Sequence, residues 1–118
     1  GGSGGHSDTA AGAKMTIITA NLTRSRIAVI KDRVRTICTP GETVDVLVTE
    51  WGIAVNPRRT DLLERFTKAK LPVHSIEELR EKAERLCGKA RPIPEGERIV
   101  GLVEYRDGTI IDVVRSRA

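Results

Sequence analysis

The chain has 118 residues, 39% apolar and 31% charged, a length of one domain or part of one and a balance that reads as soluble and globular. Its net charge is +4, but the basic residues are interleaved with acids. With Trp51, Phe66 and Tyr105 as the whole aromatic complement, there is no stacking platform for single-stranded nucleic acid. No apolar run reaches the length of a bilayer span, and no secretory signal is evident. Cys38 and Cys87 stand far apart without zinc spacing, which fits two free thiols in a reducing compartment, and both sit among apolar neighbours, as buried cysteines do. The expected location is therefore the cytoplasm.

In chain order, residues 1–14 are rich in Gly and small residues and read as a Gly-rich loop, with an engineered linker ending near Lys14 as the alternative. Residues 15–20 are β-prone, and 21–25 are polar and loop-like. Residues 27–30 and 34–38 are two further short strand candidates, followed by a turn at Pro40-Gly41. Residues 44–48 predict an interior strand, continuing through Gly52, at a bulge or close backbone approach, to residue 55. Asn56 is placed to cap a helix with Pro57 in its first turn, carrying Leu62, Leu63, Phe66 and Ala69 inward and stopping before Pro72. Ser75 and Glu78 form a capping box that opens a helix ending at Gly88, with Ile76, Leu79, Ala83 and Leu86 on one face. Glu78–Lys82 and Glu81–Arg85 read as exposed pairs on that helix. Two strands around Asp107-Gly108 predict a terminal hairpin. The whole reads as α/β.

Three constellations bear chemistry. Gly4 and Gly5, beside His6, allow backbone amides to converge on a carboxylate or a developing oxyanion. Glu50 and Trp51 follow a buried strand, where open α/β sheets collect ligands; a strand-end acid paired with a nearby Arg is the alternative. Asn56, Arg58 and Arg59 stand at a helix start, where cations call for an anionic ligand or a paired carboxylate. Two lone histidines make no metal site.

Together, Gly4-Gly5-His6-x-Asp8, the segment from Thr39 to Asp45, Val48-Thr49-Glu50-x-Gly52 with Asn56-Pro57-Arg58-Arg59, and Glu104-Tyr105-Arg106-Asp107-Gly108 with Asp112 resemble the C-terminal portion of the citrate lyase alpha chain. The resemblance covers nearly all 118 residues and marks residues 1–14 as natural sequence. It implies residues 1–118 as the later part of a second CoA-transferase-like domain, with residues 15–118 as its α/β body. That body would have a mostly parallel sheet, flanking helices and a C-terminal hairpin. It implies a citrate CoA-transferase that exchanges acetate for citrate on the acetylated acyl-carrier (gamma) subunit, after which the lyase (beta) subunit cleaves the citryl thioester. No covalently bound cofactor is implied; the thioester sits on the carrier's CoA-like prosthetic group, within an oligomeric complex, without nucleic acid or membrane. Gly4, Gly5, His6 and Glu50 become the expected catalytic residues, and Asn56, Arg58 and Arg59 the substrate-binding ones. A piece of this size, lacking the rest of an interdomain pocket, is expected to be inactive alone. An acetyl-CoA hydrolase or 4-hydroxybutyrate-type CoA-transferase shares the Val48-Thr49-Glu50-x-Gly52 pattern, and a small anion- or RNA-binding module using Arg24 to Arg35 is the reading from another class.

Overall fold

Val46, Leu47 and Val48 are apolar at successive positions, the pattern of a strand covered on both faces, and they anchor the sheet. The computed structural model describes residues 3–118. The elements are α1 (Ser3–Gly12), β1 (Ile17–Thr19), β2 (Thr23–Arg24), β3 (Ile27–Ala28), a 3-10 turn (Gly41–Thr43), β4 (Val46–Thr49), β5 (Gly52–Val55), α2 (Thr60–Lys68), β6 (Val73–His74), α3 (Ile76–Cys87), β7 (Glu95–Glu104) and β8 (Ile110–Arg117). They fall into two units. One holds the chain up to Lys14, Arg33–Thr43 and Arg91–Ala118; the other holds Met15–Asp32 and Val44–Ala90.

The second unit is layered around a four-stranded sheet, ordered β1-β4-β5-β6. β1 and β4 are parallel, β4 and β5 antiparallel, β5 and β6 parallel, so β4 is interior, as its composition predicts. The two-residue period of the strands divides the core. Val46 and Val55 pack with Leu62 of α2, backed by Ile53, Leu63 and Phe66. Ala54 packs with Leu79 and Ala83 of α3, Leu22 and Ala28, backed by Leu47. α3 carries the predicted capping box, with the Glu78 amide donating to Ser75 Oγ and the Ser75 amide to the Glu78 carboxylate, both at 3.1 Å. It ends at Gly88, whose amide donates to the Glu84 carbonyl.

The structure corrects several expectations here. The run from 44 to 55 is a tight hairpin turning at Glu50-Trp51, not a single bulged strand. Gly52 is nonetheless a close approach: a Cβ there would lie 3.1 Å from the Pro72 carbonyl oxygen and closer still to the His74 ring. α2 begins at Thr60, because Asn56 bonds the Arg58 amide and the Val44 carbonyl and does not cap the helix. It ends before Pro72 acts: the amides of Lys70 and Leu71 donate to the carbonyls of Thr67 and Phe66. This is a Schellman closure with Lys70 in the left-handed position (φ 56°) that glycine usually fills. Ala69 lies beyond the helix and is exposed. Residues 23–24 pair with 27–28 as a small hairpin, and 34–38 form no strand. On α3, Leu79 and Ala83 are buried while Ile76 and Leu86 remain exposed, so the apolar stripe reaches further than the sheet covers. Glu78 and Lys82 are not paired as expected: Glu78 also meets His74 at 3.3 Å, and Lys82 lies over Trp51.

In the first unit, α1 replaces the expected Gly-rich loop. Glycine costs a helix about 1 kcal/mol per residue, but Ser7 and Ala10, one turn apart, are both buried. The Thr9 hydroxyl also bonds the Gly5 carbonyl at 2.7 Å. Burial along one face thus outweighs the loop preference. Residues 1–2 lie outside the described residues. β7 and β8 form the predicted antiparallel ribbon with shifts in register. It turns through Asp107 and Gly108 (φ 86°), and the Thr109 amide and hydroxyl bond the Asp107 carboxylate. These bonds hold the Asp107 carboxyl below its usual range. The Ile37 amide, followed by that of Val113, does the same for Asp112.

Candidate functional site

Parallel β1 and β4 run out side by side at Thr19 and Thr49, and at such carboxyl ends α/β sheets hold ligands. An open cleft of about 660 Å³ lies there. Ala20, Val29 and Val48 give it an apolar wall; Thr19, Asn21, Arg24, Thr49 and Glu50 give it a polar rim. Glu50 is placed by its turn: the Thr49 hydroxyl donates to the Gly52 carbonyl at 2.9 Å and accepts from the Trp51 amide at 3.2 Å. Both carboxylate oxygens of Glu50 then accept from the Leu22 amide, at 3.0 and 2.9 Å. Leu22 is itself fully buried, so an exposed carboxylate is tethered to a core residue. Trp51, half exposed, is steadied by the Lys82 ammonium 4.1 Å from its ring centroid.

Arg24 reaches the same rim from β2. Ser25 and Arg26, which connect β2 to β3, both have positive φ, 48° and 62°. For residues with side chains this left-handed conformation costs roughly 1–2 kcal/mol each. The guanidinium of Arg24 has no hydrogen-bond or ion-pair partner among the described residues.

Asn56, Arg58 and Arg59 lie at the other end of the β4–β5 ladder. Four residue pairs separate the ends, about 13 Å at strand rise, so these three are not brought to Glu50. Arg59 donates through Nε and Nη2 to Asp61 and through Nη1 to Asp45, all at 2.9 Å. Asp45 also accepts from the Thr16 amide at 2.7 Å, and its carbonyl accepts from the Asn56 amide at 2.8 Å. The hydrogen bonds to Asp61 and Asp45 push the Arg59 guanidinium further above its ordinary value, and Arg59 holds the Asp61 carboxyl down at about 2. Of the two outcomes the sequence left open at this helix start, a ligand or a paired carboxylate, Arg59 takes the second. Arg58 is exposed, its amide bonded to Asn56 Oδ1 at 3.1 Å.

In the other unit, Gly4 and Gly5 sit in the first turn of α1, where backbone amides have no acceptor within the helix. A Cβ at Gly5 would meet nothing within 4 Å, so the helix, and not the absence of a side chain, aligns these amides. His6 Nδ1 shares a 2.8 Å hydrogen bond with the Thr39 hydroxyl. No motif in the sequence marks Thr19 or Asn21, and Arg24 enters there only as one end of the basic stretch of the anion- or RNA-binding alternative. The available signal was Leu22, a lone apolar residue between polar Asn21 and Thr23, which marks a loop anchored in the core. Among the described residues no three His, Cys, Asp or Glu side chains are gathered as for a metal ion, and no helix is long and apolar enough to cross a membrane.

The family model for "Citrate lyase, alpha subunit (CitF)" matches residues 1–117. The citrate lyase alpha chain of Klebsiella pneumoniae is 56% identical over 115 residues, which is 98% of this chain and 23% of that one. The alpha chain of Escherichia coli K12 is 53% identical over 114 residues, 97% of this chain and 22% of that one. A crystal structure of the citrate lyase alpha subunit from Streptococcus mutans in complex with citrate superposes with a TM-score of 0.94 at 53% identity. It covers 100% of this chain and 23% of its own. The chain thus spans under a quarter of the length of the relatives it matches, and it belongs to the citrate lyase alpha subunit family.

Proposed function

We propose that this chain contributes an acyl-exchange site to a citrate CoA-transferase, and that Glu50 belongs to that site. The observation that carries this reading is the tethering of an exposed carboxylate to the buried Leu22 loop, at the carboxyl ends of parallel strands and on the rim of a cleft. The intact subunit exchanges acetate for citrate on the acetylated carrier. A citrate carboxylate oxygen adds to the acetyl thioester carbonyl, the carbon–sulfur bond breaks, and a mixed anhydride and a thiolate result. The thiolate then attacks the citryl carbonyl and acetate leaves. The CoA-like group stays on the carrier subunit, and nothing is bound covalently to this chain. The beta subunit cleaves the citryl product within a cytoplasmic complex.

In the other unit, the first-turn amides of Gly4 and Gly5, with His6 beside them, form a separate group able to meet the negative charge of a carboxylate or an oxyanion. Asn56 and Arg59 act by holding the fold. Arg58 stands at the far end of the ladder from Glu50. The CoA-hydrolase and RNA-binding alternatives gain no support from the relatives.

The test is Glu50→Gln in an intact alpha subunit carrying this sequence, assayed for acetate release from acetylated carrier plus citrate. Loss of exchange by about a hundredfold or more, with the fold retained, is the expected result. Full exchange by the variant would remove Glu50 from the chemistry.

A further inference from the structure

Citrate brings three carboxylates, and a cleft whose rim carries Glu50 needs a compensating cation. Arg59 is engaged by Asp45 and Asp61 at the far end of the ladder. Arg24 lines the cleft itself, without a partner among the described residues. We propose that Arg24 is the carboxylate receptor of this site, binding one carboxylate of a small polycarboxylate while another is presented for acyl exchange. The inference rests on the reading of the cleft given above.

Two independent observations support it. The first is the chemistry of the rim. A guanidinium grips a carboxylate through paired N–H donors, and Asn21 and Thr19 add donors suited to a hydroxyl or a second carboxylate. The cleft volume of about 660 Å³ lies within the range of small-molecule sites, about 300–1,000 Å³. The second is the strained connection. Ser25 and Arg26 hold left-handed conformations immediately after Arg24, and such strain persists where the surroundings enforce it. Here Leu22 and Ala28, on either side of the turn, are buried in the core, and Leu22 is tied to Glu50. The two-residue turn, with Leu22 and Ala28 buried on either side, fixes the course of β2 and so the place from which Arg24 extends. An open loop would leave that side chain free to swing into solvent.

Kinetics of the intact alpha subunit carrying this sequence test the proposal. Arg24→Gln should raise the citrate KM about tenfold to a hundredfold, the range for loss of a charge-assisted contact, and leave the KM for acetylated carrier unchanged. Arg24→Lys should recover part of the loss, since it restores charge without the fork. Calorimetry with citrate and with tricarballylate should show the same weakening by Arg24→Gln, independently of turnover. A citrate KM within twofold of the parent, with exchange still abolished by Glu50→Gln, overturns the Arg24 assignment and leaves the site reading intact. A selective rise in the carrier KM also overturns it, since the arginine would then serve the phosphates of the prosthetic group. Weakened citrate binding by Arg24→Gln, alongside full exchange by Glu50→Gln, keeps the receptor and rejects Glu50.

Discussion

The two ends of the β4–β5 hairpin carry similar residues and organise them in opposite ways. At the Asp45 end, Arg59 meets two carboxylates, Asp45 also takes the Thr16 amide, and Asn56 bridges back to Val44. The network is closed and joins β1, β4 and the start of α2. At the Glu50 end, the acid is held by a single backbone amide, and Arg24 stands on the same rim without a partner among the described residues. Both ends offered an acid and an arginine in the sequence. Pairing, not residue type, separates the two ends.

The largest effect on stability should come from opening the closed end. Asp45→Ala removes the acceptor of the Thr16 amide and half the partners of Arg59. Hydrogen bonds to a charged group contribute about 1.5–3 kcal/mol, and urea unfolding should show a loss of that order, against less than about 1 kcal/mol for Glu50→Gln. Equal losses at the two ends would erase the contrast. Acid probes the same network without mutation. Asp61 has its folded value depressed to about 2 by Arg59, so its contribution is complete above the ordinary carboxylate range and is lost as pH falls through about 2. Carboxyl carbon NMR should find Asp61 still ionised at pH 3; a midpoint near 4 would show that the Arg59 bond does not hold in solution. The smallest effect is expected for Arg58→Ala, whose exposed side chain should change stability by less than about 0.5 kcal/mol. It should also leave the citrate KM unaltered where Arg24→Gln raises it, and a citrate KM raised by Arg58→Ala would return substrate binding to that end.

Local signals in the sequence were legible where they were self-contained. Ser75, Glu78 and Gly88 specify their helix by hydrogen bonds within one turn of its ends, and Asp107-Gly108 specify their turn in the same way. Val46 to Val48 announced an interior strand because both faces needed cover. What was hidden depends on distant partners. Nothing near Arg59 says that Asp45 will be opposite it, since that contact exists only once β4 and β5 fold back at Glu50-Trp51. The Gly-rich opening looked like a loop because glycine dominates propensity, whereas burial of Ser7 and Ala10 is decided by the rest of their unit. The cleft was the least legible, as three of its rim residues, Thr19, Asn21 and Arg24, form no motif.

The contact between Gly52 and the His74 ring makes these two positions an epistatic pair. A side chain at 52 meets the His74 imidazole before anything else, with the Pro72 carbonyl just behind. Enlargement at 52 therefore needs 74 to shrink first, and the positive φ of Gly52 (152°) and the Pro72 carbonyl oppose it even then. The order in which substitutions arrive matters here, and the glycine of the Thr49-Glu50-Trp51-Gly52 turn is locked in by β6, the strand that pairs with β5.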